Sequence, residues 1–127
     1  MKNKYMHRSW LGAMCLLGCS FTYAAEEQFN DALNAANSGN TALLDQYQLA
    51  MQNDVLGYYP EYWKLNTNLG FQPTASIVSF AQRYPQSAMA EKLAADYVEE
   101  KVKQADFASA QPVLSYVTNP DQAENCA

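Results

Sequence analysis

Apolar residues return along this chain in short stripes at helical spacing, separated by prolines, glycines and capping residues. From about Glu26 to Asn37, Phe29, Leu33 and Ala36 stand four and three residues apart, on one face of a helix that Gly39 would stop. Thr41 reads as the cap of a second helix running through about Gln52, with Leu43, Leu44, Tyr47 and Met51 as its apolar stripe. Pro60 suits the first turn of a third, which carries Trp63 and Leu65 and ends near Gly70. Pro73 opens a fourth, on which Ile77, Phe80, Ala81 and Tyr84 recur at i, i+3, i+4 and i+7. Ser87 precedes a fifth, with Glu91 a turn later and Leu93, Tyr97, Val98 and Val102 facing inward. Asp106 caps a sixth whose apolar residues are Val113, Leu114 and Val117, and Pro112 should kink it or make it irregular. Asn119-Pro120-Asp121 then restarts the pattern.

The midpoints of these helices recur about every 16 residues, so a helix pair repeats about every 32 to 34. That period is tetratricopeptide-like, but the Trp, Gly and Pro signature of that repeat is not met. No β-rich stretch, long linker or low-complexity segment interrupts the rhythm. The expected fold is therefore all-α, with helix-turn-helix pairs stacked as a partial α-superhelix. Such layers bury both faces only when neighbours cover them. The chain ends at Asn125-Cys126-Ala127, within what reads as the first turn of another helix. The organisation expected is a leader over residues 1–24 and an α-superhelical domain over 25–127, truncated at its C-terminal end.

The leader is read from Lys2, Lys4 and Arg8, a positive n-region, followed by an apolar stretch from Trp10 to Leu17 that is too short to span a bilayer. Two ends are open. Thr22-Tyr23-Ala24 before Ala25 offers small residues where a signal peptidase cuts, which would release the chain into the periplasm. Leu16-Leu17-Gly18-Cys19 resembles a lipobox, which would lipidate Cys19 and anchor the chain to the outer membrane.

Charge narrows the partners. Cleavage after Ala24 leaves five bases against thirteen acids, a formal net charge of −8 without a basic patch, which argues against nucleic acid or an anionic membrane surface. The single histidine, His7, leaves with the leader, so mature chemistry would run without imidazole: no Ser-His or Cys-His pair and no His-based metal site. No metal site and no cofactor are expected. Cys15 also lies in the leader, and Cys126 is then the structural thiol of an exported chain. It is either a disulfide half whose partner lies further along a longer polypeptide or a buried free thiol.

Tyr58-Tyr59-Pro60-Glu61-Tyr62, then Gln72-Pro73 with Phe80 seven residues after the proline, a proline turn at Pro85, a long Leu/Val helix, Asp106-Phe107 and a terminal Asn-Cys follow in order. Together they resemble the N-terminal superhelical region of the periplasmic soluble lytic murein transglycosylases, over most of residues 26–126. The resemblance implies a long ring-like α-superhelix followed by a lysozyme-like domain. In the family that domain carries a catalytic glutamate and cleaves peptidoglycan between N-acetylmuramic acid and N-acetylglucosamine, leaving a 1,6-anhydro product. The family's Glu-Ser motif has no counterpart here, so no catalytic residue is carried over, and glycan strands would be engaged through a domain outside these residues.

The residues offer few candidates of their own. Single-acid glycan cleavage needs a carboxyl kept protonated in an apolar cleft beside a sugar groove. Glu61 is the acid set among aromatics, with Tyr62 and Trp63 able to stack on pyranose rings, so these three are the candidate glycan contacts. Against this, a glutamate in a helix's first turn is favoured by the dipole and normally faces water, and aromatics at helical spacing usually form the core. Glu99, Glu100, Lys101 and Lys103 read as a solvated helix face. Two other readings stay open: a helical-repeat module that binds a protein on its concave face, and a small lipoprotein tethered through Cys19.

Overall fold

The computed structural model describes the backbone of residues 20–118 and the side chains of 24–118, and these residues are all-helical. Six α-helices follow one another: α1 (Ser20–Asn37), α2 (Thr41–Ala50), α3 (Tyr59–Asn66), α4 (Thr74–Arg83), α5 (Ala88–Lys103) and α6 (Phe107–Ala110). Two 3-10 segments, Leu69–Phe71 and Gln111–Tyr116, complete the set. The expected leader, Cys19, Cys126 and the restart at Asn119 lie outside the described residues, apart from the backbone helix from Ser20 onward.

Two of the helix joints are built alike. At the end of α1 the Gly39 amide donates to the Ala36 carbonyl (3.0 Å) and the Asn40 amide to the Ala35 carbonyl (2.9 Å), the Schellman pattern that satisfies the last carbonyls. At the end of α5 Ala105 donates to Val102 (2.9 Å) and Asp106 to Lys101 (2.8 Å). The left-handed position is held by Gly39 (φ 68°) in the first and by Ala105 (φ 58°) in the second, where the Cβ is strained. In both joints the next residue caps the following helix. Asn40 Oδ1 accepts from the Leu43 amide at 3.1 Å, and Asp106 Oδ1 from the Ser109 amide at 3.2 Å. Asp106 thus caps α6 as its sequence predicts, whereas the cap of α2 is Asn40, not Thr41, because Thr41 is already the first helical residue.

Other boundaries also move. α2 stops at Ala50, and residues 51–58 wind through successive turns closed by Asp54 N–H to Met51 and Gly57 N–H to Asp54. That winding requires Gly57, since a Cβ there would lie 2.0 Å from the Met51 carbonyl oxygen. α3 ends at Asn66, not near Gly70, because Asn68 takes the left-handed conformation (φ 55°) and breaks the ladder. Ser87 precedes α5 but its hydroxyl makes no capping bond; its carbonyl accepts from Ala90 and Glu91 instead. After α6 the chain tightens to 3-10 at Gln111, next to Pro112, whose missing N–H and ring exclude a continued α ladder.

The main core gathers α3, α4, α5 and both 3-10 segments around Phe80, Leu93, Tyr97 and Val113, each with no exposed surface. Ala32, Ala35, Leu44 and Met51 form the buried contact of α1 with α2. On α1 the small residues Ala32 and Ala35 go inward, while Phe29, Leu33 and Ala36 are half-buried, so the face is rotated from the expected stripe. Val102 and Leu114, expected inward, are half in solvent (49% and 52% exposed). Val102 stands at the Schellman end of α5, and Leu114 is turned out by the three-residue period of its segment.

Candidate functional site

The three candidate glycan contacts are consecutive on α3, and the helix sends them in three directions. Pro60 at the start of α3 supplies the preset φ of a first turn, and the Tyr62 amide already donates to the Tyr58 carbonyl at 3.0 Å. Tyr62 enters the main core, 7% exposed, with its ring centroid 6.5 Å from that of Phe80; burial raises its hydroxyl above the ordinary value. Trp63 faces α1, where its ring meets Phe29 at 5.5 Å and Tyr59 at 5.3 Å. Tyr59 stacks on Tyr58 at 4.6 Å, Tyr58 approaches Tyr84, and Tyr84 reaches Phe80 at 4.9 Å. The rings therefore form a continuous seam joining α1, α3 and α4, the geometry in which aromatic pairs add to burial.

Glu61 faces neither water nor an open groove. It is buried, and both carboxylate oxygens accept from Arg83 of α4: Oε2 from Nη1 at 2.8 Å and Oε1 from Nη2. This bidentate fork holds the guanidinium, half-exposed, above its ordinary pKa, chiefly through its hydrogen bond to Glu61, and seats it 5.4 Å from the Tyr84 ring. Both carboxylate oxygens are thus engaged by one guanidinium. The water-facing expectation for Glu61 is thus corrected: the first turn of α3 points at the end of α4, 22 residues further along the chain. Arg83 is the partner that sequence reading missed, and its only signal is that a basic residue ends the helix after the one that Glu61 begins.

Lys101 is a second correction. Its sequence neighbours suggest a solvated face, yet it is buried, its Nζ 5.4 Å from the Tyr97 ring centroid, 3.3 Å from Asp106 and 3.5 Å from Gln104 Oε1. Beside it, Tyr97 donates to the Gln72 carbonyl (3.2 Å) and shares a hydrogen bond with Thr74 (2.9 Å), so the start of α4 is pinned to the middle of α5.

An open concavity lies elsewhere. A cleft of about 450 Å³ separates the segment Asn66–Phe71 from the outer face of α5. Its walls carry the amides of Asn66 and Asn68, the ring of Phe71 and the carboxylates of Asp96, Glu99 and Glu100. Gln104 closes one end and donates to the Gly70 carbonyl at 3.3 Å. Asp96 is paired with Lys92 at 2.8 Å, and Lys103 lies 2.7 Å from Glu99 and 3.1 Å from Glu100. None of these residues was singled out as a site from sequence except as a charged helix face. Phe71 falls in the Asn- and Gly-containing break between two helices, where no apolar stripe claims it.

No known protein family, curated protein or solved structure matches the chain. Among the described residues, no group of three or more His, Cys, Asp or Glu is placed to hold a metal ion, and no helix is long and apolar enough to cross a membrane.

Proposed function

We propose that this chain is the N-terminal scaffold part of an exported lytic murein transglycosylase. In this reading the helices form stacked pairs that surround or position glycan strands for a catalytic domain carried further along the polypeptide. The observation that carries the reading is where its motif residues stand. Pro60 opens α3, Pro73 is the N-cap of α4, Asp106 is the N-cap of α6, and Phe80 is at the centre of the core. The residues that make the resemblance are thus those that set helix starts and core volume.

The packing supports a superhelical arrangement. α1 contacts α3 and α3 contacts α5, while α2 sits against α1 and α3, and α4 against α3 and α5. Paired helices stacked along one axis would have such neighbours. The Schellman-and-cap joint at Gly39-Asn40 returns at Ala105-Asp106, 66 residues later, though the joint between them at Gln72-Pro73 is extended.

Sequencing the source DNA through codon 127 and beyond tests the reading. A frame continuing into more helix pairs and a lysozyme-like domain with a Glu-Ser motif is expected; a stop codon there removes the enzyme. The 127-residue product alone is expected to leave purified sacculi intact in a zymogram, and a cleared zone would overturn its assignment as a scaffold. The periplasmic location is checked on the exported protein: a mature N-terminus at Ala25 is expected, and a lipid-modified Cys19 would replace it with an outer-membrane anchor.

A further inference from the structure

We propose that the cleft between the segment Asn66–Phe71 and α5 binds one pyranose ring of an N-acetylated glycan. Phe71 supplies the stacking platform, and the Asn66 and Asn68 amides meet the hydroxyl and acetamido groups. Phe71 is 86% exposed although it is among the largest apolar side chains of the domain, and it stands at the edge of a polar cleft, not on an apolar patch. Its place is set by the backbone: the left-handed Asn68 turns the chain, and the Phe71 amide is tied back to the Asn68 carbonyl at 2.9 Å. A ring held out this way offers a flat apolar face to the C–H face of a sugar.

The free polar groups decide the class of ligand. Asp96 is paired with Lys92, and Glu99 and Glu100 share Lys103, so two ammoniums within α5 offset two of the three carboxylate charges. The side-chain amides of Asn66 and Asn68 make no hydrogen bond to another described residue. An amide presents a donor and an acceptor together, which matches vicinal hydroxyls and an acetamido group. The volume is that of a small-ligand site with a few convergent polar groups. The choice of an N-acetylated sugar rests on the murein reading; the exposed ring beside two uncommitted amides does not.

The test is an amide-resolved NMR titration of the purified chain with chitotetraose, and in parallel with an oligolysine peptide. Shift changes confined to residues 66–71 and 96–104 are expected with the saccharide. Phe71→Ala should weaken binding about tenfold, the loss of one aromatic contact. Asn66→Ala should weaken it about three- to tenfold. Both side chains are exposed, so the variants should melt with the parent chain, and a lost titration then reports the site and not the fold. No shift at about 10 mM saccharide, binding unchanged in Phe71→Ala, or cleft shifts with the peptide alone would each overturn the proposal. The outcome separates from the scaffold reading. Saccharide binding with a stop at codon 127 keeps the cleft and removes the enzyme, and a catalytic domain downstream without cleft shifts does the reverse.

Discussion

Arg83→Ala should destabilise the domain by about 2 kcal/mol. Breaking a fully buried pair by removing one partner costs roughly 3–5 kcal/mol, while an exposed pair contributes roughly 0.2–1. The Glu61–Arg83 pair lies between these limits: the carboxylate side chain is 11% exposed and the guanidinium 46%. Alanine at 83 leaves the carboxylate buried with neither of its two donors, but water reaches the vacated guanidinium position and takes up part of the loss. Glu61→Gln should cost less, about 1 kcal/mol, since the amide keeps one acceptor for Arg83 and removes the buried charge. In a double-mutant cycle with both sites changed to methionine, the coupling energy should be about 1–2 kcal/mol. The measurement is urea unfolding followed by far-ultraviolet circular dichroism at neutral pH. Because one partner is half-buried, salt at about 0.5 M should remove only part of the coupling. Arg83→Ala within about 0.3 kcal/mol of the parent chain, or a coupling near zero, would refute the view that Glu61 is a structural acceptor locking α3 onto α4. It would return Glu61 to the list of groups free for chemistry.

The two Schellman joints allow a reciprocal exchange. Ala105→Gly should stabilise by about 0.5–1 kcal/mol by relieving a left-handed alanine, and Gly39→Ala should destabilise by about 1 kcal/mol. An added Cβ at Gly39 meets nothing within 4 Å, so its cost is backbone strain alone; thermal melts that move together in one direction would contradict this. Asp106 makes stability depend on pH. The Ser109 hydrogen bonds, first of all, and Lys101 hold its carboxyl below the ordinary value of 3.8, so its stabilisation is complete above that value and is lost as pH falls through the lower folded value. The parent chain should therefore exceed Asp106→Asn in stability at pH about 5 and lose that advantage as the pH falls through the lowered folded value, whereas a constant difference in urea midpoints would exclude the titration.

Helix content and order were legible along the chain because they rest on local signals. Pro60, Pro73 and Asp106 mark helix starts through properties of their own backbone or side chain, and Ile77, Phe80 and Ala81 recur at a spacing that any helix must turn to one side. The sequence by itself therefore determined an all-helical chain, the approximate sites of its breaks and most of its core. Where it erred, the deciding contact was distant. Glu61 looked solvent-facing because a first-turn glutamate is favoured by the helix dipole, and only the approach of α4 brings Arg83 over it. Lys101 looked like part of a charged face, until Tyr97 and the joint at Asp106 covered it. Val102 fits the inward stripe of α5, yet the helix ends there without a neighbour to bury it. The cleft beside Phe71 has no sequence signature, since its walls come from a helix break and the far side of α5. Periodicity reports which side of a helix is apolar, but what meets that side, and which polar groups are left free, depends on how separate helices are brought together.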